Sequence, residues 1–149
     1  MRLGELADHS VAPSVYVLVR HGAQLRPELA VSMRGAVVLR VGDGHAPVRI
    51  EFCGDVIDVC DDVDGDDRAC DLVLSGCLAD VNALIAAPLA GGLPKPTTRR
   101  GRGAIARLAD GRVDFDGPLS LARSVLRLLA IDAVPTSRSP ALRADAPAA

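Results

Sequence analysis

The sequence predicts an α+β domain with one layer of helices lying over one face of a sheet, and three observations carry that expectation. A strand-glycine-helix plan occurs twice, in Asp71 to Ile85 (DLVLSGCLADVNALI) and in Gly111 to Ile131 (GRVDFDGPLSLARSVLRLLAI). Leu72 and Leu74 match Val113 and Phe115, Gly76 matches Gly117, and Leu78 matches Leu119. Ahead of the first copy stand three short alternating segments with turn residues between them, the pattern of a meander. In both copies, alternation gives way to helical spacing at the glycine, so each helix can fold back onto its own sheet.

The elements follow in chain order. Residues 1–12 offer no periodicity and are expected to be poorly ordered, with the domain occupying 13–132. Ser14 is a candidate N-cap for a helix in which Val15, Leu18 and Val19 share a face, although the β-branched Val15, Val17 and Val19 weaken it. Arg26-Pro27 interrupts that helix, because the residue before a proline leaves the α region. A second short helix is expected through Glu28, Leu29 and Met33, stopping at Gly35. The meander strands are Ala36 to Val41, Pro47 to Cys53 and Val56 to Cys60. If Gly54-Asp55 is a two-residue turn, Cys53 faces Val56, and Phe52 with Ile57 and Ile50 with Val59 land on one buried side. Arg49, Glu51, Cys53, Val56, Asp58 and Cys60 take the other side, where Glu51 opposite Asp58 needs a cation such as Arg40 or Arg49.

Asp61 to Asp67 (DDVDGDD) lacks the ligand spacing and closing glutamate of an EF-hand and reads as a solvated acidic loop. After the first unit, Pro88 to Thr98 has the glycine and proline density of a loop. Leu89 and Leu93 are expected to tuck inward or rim an opening. Arg99 to Asp110 then reads as a basic helix, with Arg99, Arg100, Arg102 and Arg107 beside a thin apolar stripe. The tail 133–149 has the composition of disorder.

Composition narrows the class. The chain has 149 residues and is 49% hydrophobic, enough for one sizeable core, yet only Tyr16, Phe52 and Phe115 are aromatic. Leucine, valine, isoleucine and alanine must fill the interior, leaving it either solidly packed or with an apolar cavity. No apolar run approaches the roughly 20 residues of a membrane span, and the start MRLGELADHS has no signal-peptide pattern, so a cytoplasmic location is expected. Cys53, Cys60, Cys70 and Cys77 lack zinc-knuckle spacing and are read as reduced thiols, with no metal site. The net charge of -2 conceals an acidic stretch from 36 to 92 and a basic one from 93 onward. A nucleic-acid module would more often be basic overall and rich in stacking aromatics. His9, His21 and His45 are the only histidines, and neither G-x-S-x-G nor H-E-x-x-H occurs, so no catalytic set is visible. Asp43-Gly44-His45 reads as a turn.

From about Pro27 to Ile131 the chain resembles the sterol carrier protein 2 (SCP2) lipid-binding domain family in its bacterial single-domain form. The resemblance rests on the meander (GAVVLRV, PVRIEF, DVIDV) and on DLVLSGCLADV and RVDFDGPLSLARSVLRLL, in that order. It implies a five-stranded, mostly antiparallel mixed sheet with helices packed on one face. It further implies an apolar tunnel between the layers for a fatty acid, fatty acyl-CoA, phospholipid or sterol, without catalysis or cofactor. The chain departs from the family at Pro118, in the length of 86–111 and in the scarcity of aromatics.

On this reading the ligand-binding residues are Leu39, Ile50, Leu84, Ile85, Leu89, Leu93, Leu121, Val125 and Leu128, with the mouth at Leu89 and Leu93. The basic helix is expected to meet anionic membrane headgroups, or the phosphates of an acyl-CoA, through Arg99, Arg100 and Arg102. Each buried guest methylene is worth about 0.8 kcal/mol, so twelve carbons gain on the order of 9 kcal/mol before ordering costs. The competing reading is an accessory protein-protein interaction module of the same fold that holds no lipid, using the sheet face with Cys53, Val56 and Cys60.

Overall fold

A computed structural model describes residues 1–4, 6–62 and 70–131. The elements run β1 (Arg2–Leu3), α1 (Ala12–Leu25), α2 (Pro27–Ser32), β2 (Arg34–Val41), β3 (Val48–Cys53) and β4 (Val56–Asp61). They continue with β5 (Leu72–Gly76), α3 (Leu78–Ile85), β6 (Leu89–Ala90), β7 (Leu93–Pro94), α4 (Arg99–Ala109), β8 (Val113–Asp116) and α5 (Leu119–Leu129).

Alternating apolar side chains set the sheet register. Cys53 pairs with Val56, Phe52 with Ile57, and Ile50 with Val59, as the two-residue turn requires. Val37 lies between Ile50 and Leu72, and Leu39 between Val48 and Leu74, so one face carries an unbroken aliphatic layer that is almost wholly buried. On the other face, Glu51 opposes Asp58, and Arg49 Nε donates to Glu51 Oε1 at 2.9 Å. Val38 occupies this second face and is also fully buried.

The main sheet is mixed and has six strands in the order β1-β4-β3-β2-β5-β8, one more than expected. The extra strand is β1, which pairs parallel to β4 and belongs to the stretch expected to be poorly ordered. Periodicity is blind to a two-residue strand. Its anchor is Asp61, which is buried and accepts from the Ala7 amide and, at 2.6 Å, from the Ser10 hydroxyl. Asp61 is thus the end of β4 and no part of a solvated loop; the rest of that acidic run from 63 lies outside the described residues, as does the tail 133–149.

Three local expectations also change. Ser10, rather than Ser14, serves the start of α1, its hydroxyl accepting from the Ala12 amide at 3.0 Å. Gly35 does not end α2, which stops at Ser32; it lies within β2. The apolar loop after α3 is a small hairpin, β6 paired with β7 around Gly91-Gly92. Both glycines have positive φ, 60° and 81°, which suits a tight two-residue hairpin turn. The interruption at Arg26-Pro27 stands where proline chemistry put it.

The helices cover the aliphatic face in two pairs, α1 against α5 and α3 against α4. Gly22 makes the first pairing close, since a Cβ there would collide with the Leu128 carbonyl oxygen. From α5, Ala122, Val125, Leu126, Leu128 and Leu129 are buried, and from α3, Val81, Leu84 and Ile85. All join one core with the sheet. Among the described residues, no helix is long and apolar enough to cross a membrane.

Candidate functional site

The two helix pairs do not meet everywhere, and between them a pocket of about 250 Å³ opens onto β2. Val11, Ser14, Val15 and Leu18 line it from α1 and its cap, and Leu39 and Val41 from β2. Leu78, Val81, Asn82 and Ile85 line it from α3, and Leu129 from α5. Every wall residue but Ser14 and Asn82 is aliphatic and none is aromatic. The volume exceeds the roughly 150 Å³ of a dry cavity that admits benzene, and lies just under the roughly 300 Å³ where ligand sites usually begin.

Of the nine residues singled out from the sequence, Leu39 and Ile85 line this pocket. Ile50, Leu84, Val125 and Leu128 are at most 1% exposed within the continuous core, away from the pocket wall. Leu89 and Leu121 are half-buried and pack against the core, while half-buried Leu93 sits in the β6-β7 hairpin. None of these three contributes to the pocket, so its rim is α1 and α3 and not the hairpin. The missed residues come from α1 with its cap and from α3, with Val41 and Leu129 beside them. Val15 and Leu18 were legible as a helical face, but nothing local says which helix faces α3 across a gap.

A polar cluster on α3 also escaped sequence reasoning. Asp80, 4% exposed, accepts from Arg107 Nε at 2.8 Å through Oδ1 and from Arg112 Nε at 3.1 Å through Oδ2. The Cys77 thiol donates to Oδ2 at 3.0 Å. The thiol's hydrogen bond, followed by that from Arg107 and the charge of Arg112, holds the carboxyl below its ordinary range, against burial, which acts the other way. Asp80 thereby ties α3 to α4 and to the start of β8.

Beside this cluster, α3 and α4 leave an open groove of about 590 Å³ lined by Ala83, Ala86, Arg99, Arg100, Gly103 and Arg107. Thr98 caps α4 by accepting from the Gly101 amide at 3.0 Å, and the first turn holds no acid. Arg99 and Arg100 therefore stand at the positive end of the helix dipole, an arrangement that costs about 0.3–1 kcal/mol each at low salt. Arg102 does not line the groove; it reaches the Pro96 carbonyl at 3.4 Å.

The remaining candidates for chemistry stay apart. His45 Nδ1 lies 3.2 Å from the His9 carbonyl oxygen, and Asp43-Gly44 forms a turn with φ of 70° and 80°. Among the described residues, none of the four cysteines forms a disulfide. Burial, then the charge of Glu51, pushes the Cys60 thiol up, which disfavours the reactive thiolate. Among the described residues, no three His, Cys, Asp or Glu side chains converge as metal ligands.

No protein-family model matches the sequence, and no curated protein matches it. Solved structures do. The sterol carrier protein domain 2 of Helicoverpa armigera superposes with a TM-score of 0.53 at 16% identity, covering 85% of this chain and 92% of its own. The ubiquinone synthesis protein UbiJ-SCP2 superposes with a TM-score of 0.52 at 12% identity, covering 80% of this chain and 89% of its own. The chain has the SCP2-like fold.

Proposed function

We propose that the protein is a non-enzymatic, cytoplasmic lipid-binding domain that seats an apolar chain in the pocket between α1, α3 and β2. The observation carrying this reading is the pocket itself, an aliphatic gap within an otherwise continuous core, since an unfilled gap forfeits dispersion contacts that a guest restores. Its size favours the end of a single acyl or prenyl chain over a fused ring system. Six enclosed methylenes gain about 5 kcal/mol gross before ordering costs. The fold neighbours are in keeping with an apolar guest, one being a sterol carrier domain and the other a ubiquinone synthesis protein. Four cysteines outside any disulfide among the described residues suit a reducing compartment. In this reading the exposed Arg99, Arg100 and Arg102 bring the domain to anionic membranes for transfer.

Leu18→Trp tests the reading. Leu18 is half-buried on the pocket wall, so the indole fills the gap without entering the packed core. Uptake of a fluorescent fatty acid is expected to be lost while circular dichroism and Tm stay near the parent values. A folded Leu18→Trp protein that takes up the probe as well as the parent places the ligand elsewhere.

A further inference from the structure

We propose that the groove between α3 and α4 is a binding site for a phosphate or diphosphate group, with Arg99, Arg100 and Arg107 as its donors. Arg99, Gly103 and Arg107 succeed one another at a spacing of four along α4, and Arg100 falls on the same side, so three guanidiniums share one helix face. Small residues make the recess: Ala83 of α3, Ala86 at its C-cap and Gly103 of α4 line it together. Larger side chains there would fill it; even a Cβ at Gly103 would lie 3.2 Å from Arg107 Nη1.

The donors differ in preparation. Arg107 is fixed in place, its Nε given to Asp80 and one terminal nitrogen to the Gly103 carbonyl at 3.0 Å, leaving further N–H groups for a ligand. Arg99 and Arg100 are exposed and have no hydrogen-bond or ion-pair partner among the described residues. Two cations without a partner among the described residues, at the positive end of a helix and beside a third held by a buried acid, form an arrangement that an anion relieves. Guanidinium pairs phosphate oxygens two at a time, which makes phosphate a better match than a monodentate anion. The site lies on α3 residues distinct from those lining the apolar pocket, so it does not need a guest there, and through Arg99 and Arg100 it deepens the membrane contact proposed above.

The test compares the parent with Arg99→Gln/Arg100→Gln and with a control of equal charge loss, Arg123→Gln/Arg127→Gln on exposed positions of α5. Titration with inorganic pyrophosphate at low salt, and sedimentation with phosphatidylglycerol or phosphatidylcholine vesicles, reads the two sources of the phosphate. Parent binding to pyrophosphate or to phosphatidylglycerol, reduced at least tenfold in the α4 variant and within twofold in the α5 control, supports the site. Pyrophosphate binding without vesicle binding assigns it to a soluble phosphate compound, and vesicle binding assigns it to a lipid headgroup. No binding to either by the parent, or equal losses in the two variants, overturns it. Leu18→Trp is expected to leave these titrations unchanged, which separates failure here from failure of the apolar pocket.

Discussion

The two strand-glycine-helix units share a plan and part company in their helices. In the second, α5 turns five side chains into the core and crosses α1 at Gly22, leaving no space. In the first, α3 is shorter and stands across a gap from α1. Asp80 of α3 takes the place that Leu121 holds in α5, and it draws the helix toward Arg107 and Arg112 of the α4 side. One polar exchange in a repeated pattern thus accompanies the change from a sealed helix to a pocket wall. The strands differ too: β5 is interior, parallel to β2 and antiparallel to β8, which forms the sheet edge.

The largest effects that separate the units are expected at Val125 and Leu128, each 1% exposed in α5. Val125→Trp should overpack the core, with a cost of about 1–3 kcal/mol or more, and broaden or abolish the cooperative transition. Leu128→Ala should cost about 2–5 kcal/mol by emptying a packed site. Leu18→Ala, facing space that already exists, should fall below that range. Urea unfolding of the variants measures the contrast, and equal losses at Leu128 and Leu18 would show that the pocket is closed in solution.

A smaller difference lies at the matching glycines. Gly117 has φ of 140°, and a Cβ there would meet the Asp71 carbonyl, a backbone atom just ahead of β5. Gly76 has no positive φ, and its Cβ would lie 3.1 Å from both the Arg112 carbonyl oxygen and Val81 Cγ2. Gly117→Ala should therefore cost about 1–3 kcal/mol in backbone strain, plus a shift of β5 against β8. Gly76→Ala requires only small adjustments and should cost less. The reverse order of stabilities would mean that Gly117 is not held in this conformation.

Much of this was legible because it is periodic. The register of β3 on β4, both helices of the repeat and the stop at Pro27 follow from spacing two, spacing near 3.6 and proline geometry. What was not legible depends on partners distant in sequence. β1 exists because β4 offers it an edge and Asp61 holds the chain behind it, and Asp80 is buried because two arginines arrive from another helix and a loop. The pocket had a compositional signal in the scarcity of aromatic rings, but its walls depend on how α1 lies over α3. Hence Leu39 and Ile85 were singled out from pattern, while Val15 and Leu18 were read only as a helix face and Val81 was not singled out.

The smallest expected effect sharpens the Asp80 contrast through pH. The Cys77 hydrogen bond, with Arg107 and Arg112, lowers the folded carboxyl from its ordinary value of 3.8. A group whose folded pKa is depressed contributes stability above the unfolded value and loses it as pH falls through the folded one. Parent and Asp80→Asn should thus differ by a constant amount from pH 7 down to about 5, with the parent more stable. The gap should narrow below about 4, as the parent's carboxyl takes up a proton and resembles the amide. Cys77→Ala removes the first of the causes, so in that background the gap should be smaller at neutral pH and the narrowing should be complete at a higher pH. Urea midpoints across this range supply the curve. A gap that runs parallel from pH 7 to about 2 would mean that Asp80 is held by shape alone and that its charge does not bind α3 to α4.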